Sequence, residues 1–109
     1  DKDLTAALLA VRLRADRLLV LTDVPAVMRE FGTAHATALA RLDVDEVATM
    51  SFAAGSMGPK IAACAHFVAA TGRPASIGSL ADARALLAGT AGTTIVPASV
   101  RAFTGGARL

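Results

Sequence analysis

A chain of 109 residues with 54% hydrophobic side chains is long enough for one modest domain with a core of its own. Aromatic residues make up only 4%, with no Trp or Tyr, so Ala, Leu and Val must carry the packing, as in many α/β proteins. A formal charge of +2 with scattered arginines argues against nucleic acid, no run reaches the length of a membrane span, and the single Cys64 excludes an internal disulfide, which suits a reducing cytoplasm.

The chain opens on Asp1-Lys2-Asp3 without an initiator Met, already inside an organised pattern, and is expected to be a piece of a longer protein. Residues 4–14 read as a helix. Leu4, Leu8 and Val11 fall on one face, Leu9 and Leu13 widen it, and Arg12 and Arg14 are left for solvent. So apolar a helix is expected to pack against protein beyond these residues. The run Leu18-Leu19-Val20-Leu21 has no alternation, the mark of a parallel strand buried on both faces. Asp23 follows at its carboxyl end, where open parallel sheets place their ligands. Capping of the turn before Pro25 is an equally good reading of Asp23.

Residues 24–41 read as a loop, and His35 within it has no second ligand nearby, so exposure is a better reading than metal. Asp43, Asp45 and Glu46 read as an acidic first turn of a helix rather than a metal site. Residues 61–71 form the next helix, with Ile61, Cys64, Ala65 and Val68 on one face and Gly72 at its end. Cys64 belongs to the core rather than to a nucleophile, and His66 is a packed or surface residue. Residues 74–78 are a short strand, Ser79 with Asp82 caps a helix that stops at Gly89, and residues 93–97 are a last strand halted by Pro97. The alternation is α/β, without internal repeats, and residues 98–109 are expected to be a loose tail.

Phe52-Ala53-Ala54-Gly55-Ser56-Met57-Gly58-Pro59-Lys60 is the segment around which the rest is organised. Gly55 and Gly58 permit a tight turn and close approach to a ligand, and Pro59 suits a first helical turn. Lys60 then lies beside unpaired N–H groups at the positive end of a helix, a place that attracts phosphate. The spacing is not that of a Walker A loop, and a solvated lysine at an ordinary helix start is the plainer alternative. As a surface group it would support the fold by no more than about 0.5 kcal/mol.

Together with Lys2-Asp3-Leu4, Leu21-Thr22-Asp23-Val24, Gly78-Ser79-Leu80 and Gly92-Thr93, this loop resembles the carbamate kinase branch of the amino acid kinase family, over residues 1–97. Leu-Thr-Asp-Val is shared with acetylglutamate and aspartate kinases, whereas Lys2 before Asp3 points to the carbamate kinase branch. The resemblance implies the C-terminal, nucleotide-binding half of a three-layer αβα sandwich. It implies phosphoryl transfer between carbamoyl phosphate and ADP, giving ATP and carbamate with Mg2+, in a cytoplasmic enzyme of arginine metabolism that is a homodimer at full length. On the same basis Lys2, Asp3 and Lys60 are catalytic, Lys60 at the transferring phosphoryl group and Asp3 holding the lysines in position. Asp23, Val24, Phe31, Gly55, Ser56, Met57, Gly58 and Lys60 are the implied nucleotide-binding residues, and no residue is assigned to a metal. Without an N-terminal half the segment is expected to be inactive alone. The alternative is a non-catalytic nucleotide-binding or structural remnant of another amino acid kinase.

Overall fold

A computed structural model describes residues 1–29, 34, 37–50 and 57–98. Helix α1 spans Lys2–Arg12 and strand β1 spans Leu18–Thr22. Two short strands, β2 (Met28–Arg29) and β3 (Thr37–Ala38), precede β4 (Arg41–Asp43) and helix α2 (Val44–Thr49). Helix α3 (Met57–Thr71), β5 (Ala75–Ser79), a 3-10 turn (Leu80–Asp82), α4 (Ala83–Ala88) and β6 (Thr93–Val96) complete the order. The main sheet runs β1-β5-β6-β4, while β2 and β3 pair only with each other.

The sheet is mixed. Leu18 to Thr22 lie in parallel register with Ala75 to Ser79, but the strand is not buried on both faces as its unbroken apolar run predicts: Leu18 and Val20 are buried, whereas Leu21 is exposed. Strand β6 then runs antiparallel to β5, with Thr93 opposite Ile77, and β4 lies parallel to β6. Alternation along β5 divides its side chains between two faces. Ala75 and Ile77 join Leu18, Val20, Ile95 and the buried side of α3 in the main core. Gly78 turns to the other face, where a Cβ would stand 2.6 Å from Leu86 of α4. Arg17 reaches that face too, donating to the Ser76 hydroxyl at 2.9 Å and the Leu86 carbonyl at 3.2 Å. Helices therefore cover both sides of the sheet, giving the three-layer αβα architecture.

Local chemistry sets the helix ends. The Asp1 carboxylate accepts from the N–H groups of Asp3 at 2.9 Å and Leu4 at 3.1 Å, so α1 begins early enough to hold Lys2 and Asp3 in its first turn. It ends in a Schellman arrangement, Ala15 N–H to the Ala10 carbonyl and Arg14 N–H to that of Val11, with Arg14 at φ 56°. The acidic cluster opening α2 is a capping box: Glu46 N–H donates to Asp43 at 2.8 Å and Asp43 N–H to Glu46 at 3.0 Å.

Two further sequence expectations change. The inward face of α1 is Ala7 and Ala10, with Val11 half-buried, and not the leucine face. Small alanines let α1 pack closely on α3, while Leu8, Leu9 and Leu13 stay 47%, 56% and 70% exposed. The stretch 24–41 is not all loop, because it holds β2, β3 and the start of β4. Strands of two residues are too short to display a period of two. Ala98 is the one described residue of the expected tail; residues 99–109 lie outside those described, as does His35.

Candidate active site

Strand β1 follows α1, and β5 follows α3, through short connections, so each helix runs back along its strand. The amino ends of α1 and α3 therefore meet at the carboxyl edge of β1 and β5. The side chains agree with this topology. Lys60 Nζ lies 3.4 Å from Asp3 Oδ2, and Lys2 Nζ lies 3.6 Å from the same oxygen. One carboxylate thus joins two ammonium groups of very different exposure, with the side chain of Lys2 83% exposed and that of Lys60 10%.

Lys60 is accordingly no solvated surface group. It is the fourth residue of α3, buried, with its carboxylate partner on another helix. Removing Asp3 would leave this buried ammonium without its carboxylate, which costs far more than 0.5 kcal/mol, on the order of 3–5 kcal/mol. Pro59 comes third in the helix, among the four positions whose N–H has no partner within it.

The two helix ends differ. At α1 the Asp1 carboxylate already occupies the leading N–H groups. The first turn of α3 carries no acidic residue, and Lys60 lies in it. An incoming anion is therefore favoured by α3, where dipole and ammonium act together. With Lys2 and Lys60 outnumbering Asp3, the cluster has a net positive charge, and Asp3 keeps the lysines from repelling each other apart.

Cys64 lies one turn along α3 from Lys60 and is fully buried in the core. Burial first, and then the negative charge of Asp3, push its thiol up to about 12 from 9.0. It is a neutral packing group under the ion pair and not a nucleophile. The sequence shows the apolar position of Cys64 but not its proximity to Asp3, which exists only once α1 and α3 pack.

Asp23 follows β1 at the same edge, is exposed, and accepts from the Thr22 hydroxyl at 3.3 Å. Val24 is half-buried beside it, and Met57 and Gly58 are half-buried at the start of α3. Phe31, Gly55 and Ser56 lie outside the described residues. His66 is exposed on α3. Among the described residues, no three His, Cys, Asp or Glu side chains gather as a metal-binding group, and no helix is long and apolar enough to cross a membrane.

The model of the amino acid kinase family matches residues 1–79. The chain is 47% identical to the carbamate kinase of Escherichia coli O6:H1 over 95 residues, 87% of this chain and 32% of that protein. It is 47% identical to the carbamate kinase of Halobacterium salinarum over 102 residues, 90% of this chain and 33% of the other. The structure of carbamate kinase from Giardia lamblia bound to AMP-PNP superposes with a TM-score of 0.84 at 38% identity, covering 90% of this chain and 36% of that one. The chain spans about a third of the length of the curated relatives it matches.

Proposed function

We proceed from membership, since the chain belongs to the amino acid kinase family, and propose that it is the C-terminal, nucleotide-binding part of a carbamate kinase, with residues 1–97 as that part. The reaction would be phosphoryl transfer between carbamoyl phosphate and ADP, giving ATP and carbamate. One observation carries the reading: a buried lysine in the first turn of α3, a turn without acidic residues, held by a carboxylate that also holds a second lysine. Transfer of a phosphoryl group through a loose transition state asks for fixed positive charge more than for covalent chemistry. Lys60 supplies that charge from a site largely withdrawn from water, where it acts more strongly than in bulk solvent. Asp3 fixes where the ammonium stands, and Lys2 adds a second charge that is exposed to solvent.

Asp23 and Val24 would border the nucleotide from the β1 side, with Met57 and Gly58 on the α3 side and Phe31, Gly55 and Ser56 completing the site. The lysines suit the phosphates of ADP and ATP directly. Mg2+ would neutralise phosphate charge when bound, held chiefly by the phosphate oxygens, as is usual for this ion. A cytoplasmic setting and a homodimeric full-length protein belong to the same reading.

A chimera tests it. Replacing the matching third of the Halobacterium salinarum carbamate kinase with this chain should give an enzyme that forms ATP from carbamoyl phosphate and ADP, whereas the chain alone should not. In the chimera Lys60→Ala should lower kcat by roughly a hundredfold to a thousandfold, about 3–4 kcal/mol. Lys60→Arg should rescue poorly, since a planar fork does not replace a compact ammonium. A folded Lys60→Ala chimera keeping more than about a third of kcat, a loss below 1 kcal/mol, would remove Lys60 from the chemistry.

A further inference from the structure

Thr93 is a fully buried polar residue at the amino end of β6. Its hydroxyl accepts from the Val27 N–H at 2.9 Å and donates to the Leu39 carbonyl. Leu39 N–H in turn donates to the Val27 carbonyl at 2.8 Å, closing a three-cornered node. The node holds both ends of the excursion that contains β2 and β3. Thr93 lies opposite Ile77 in the register, which places it on the α3 face of the sheet, near the carboxyl edge of β5. That is the edge at which Lys60 meets Asp3.

The limb from Asp23 to Val27 runs from the end of β1 into this node. Ala26 and Val27 are 5% and 0% exposed, and the Pro25 carbonyl lies 3.1 Å from where a Cβ on Gly78 would stand. Asp23 and Val24 are therefore suspended between two fixed points, β1 and the Thr93 hydroxyl. Valine has nearly the shape of threonine and would fill the same space. Only a hydroxyl can satisfy a donor and an acceptor there at once.

We propose that Thr93 is a positioning residue for nucleotide binding, its hydroxyl holding the Asp23–Val27 limb at the distance from Lys60 that ADP requires. The proposal rests on the nucleotide reading above. It assigns a role to a side chain that need not touch the ligand.

ADP titrated into the 109-residue chain, followed by amide NMR shifts, tests it with three variants. Thr93→Val should weaken ADP about tenfold or more and speed hydrogen exchange at the Val27 amide, because two buried groups lose their partner. Thr93→Ser keeps the hydroxyl and should bind within about threefold of wild type. Arg17→Met breaks the link to Ser76 and Leu86 at the opposite edge and should lower stability without changing ADP affinity. Wild-type affinity in folded Thr93→Val overturns the proposal, as does an equal loss in Arg17→Met, which would mark general softening. Should Thr93→Val not fold, a tenfold loss in Thr93→Ser overturns it instead. A wild type silent towards ADP would overturn the nucleotide reading and the positioning role together, a pattern distinct from wild-type binding matched by Thr93→Val.

Discussion

The thiol of Cys64 makes the environment beneath the ion pair measurable. Below pH 9 it is neutral in both folded and unfolded chains and has no effect on the balance between them. Above its unfolded value of 9.0 the unfolded chain loses the proton, while the folded chain keeps it until about 12. Stability should therefore fall as pH rises through this window, by up to about 1.4 kcal/mol per pH unit. Urea unfolding of wild type and Cys64→Ala between pH 8 and 11 checks it: the wild-type curve should slope down more steeply, and parallel curves would refute the assignment. The sequence alone shows that Cys64 is core and that Lys60 begins a helix. It cannot show that Lys60 is buried and paired, since its partner Asp3 lies 57 positions away.

At the scale of elements, two backbone positions have side-chain consequences that can be separated. Arg14 holds a left-handed conformation at the end of α1, and its carbonyl accepts from Arg73 at 2.8 Å. Glycine adopts that conformation without strain, so Arg14→Gly should raise stability by about 0.5–1 kcal/mol. Gly92, at φ 67°, is the opposite case, because a Cβ there would stand 2.4 Å from the Ile77 carbonyl oxygen. Gly92→Ala should cost about 3 kcal/mol or more, since backbone cannot move aside as a side-chain tip can. Thermal melts of the two variants should shift in opposite directions. The same contrast explains what could be read in advance. Gly72 and Gly89 end helices at φ 72° and 78°, and the long apolar patterns of α3 and β1 announce themselves locally. The inward face of α1 does not, because leucines outweigh alanines in any hydrophobic count and only packing against α3 reverses the choice. The β2–β3 pair is silent for want of length, and Thr93 for want of any local sign that its hydroxyl has partners in two distant segments.

For the molecule as a whole, the antiparallel step between β5 and β6 gives the sheet a polarity. The carboxyl ends of β1 and β5 share one edge with the starts of α1 and α3, while β4 ends at the other, where α2 begins under its own capping box. The positive ends of α1 and α3 and both lysines thus collect on a single side, away from the start of α2. Leu8, Leu9, Leu13 and Leu21 stay exposed on α1 and β1, and β1 pairs with β5 alone among the described residues. Sedimentation over a range of concentrations should show the 109-residue chain associating with itself, and a monomer throughout would mean that this apolar surface is too dispersed to act. The register of β1 also sets an order in time. Leu18 has no partner until Ala75 is in place, and Arg41 none until Thr94 is, so in the main sheet only the β5–β6 pairing joins segments close along the chain. Closing such long loops before any contact rewards them makes for slow folding, in milliseconds to seconds rather than microseconds. On a ribosome adding about 5–20 residues each second, β1 would wait several seconds for β5. During that wait its apolar residues and the leucines of α1 are open to whatever binds nascent chains.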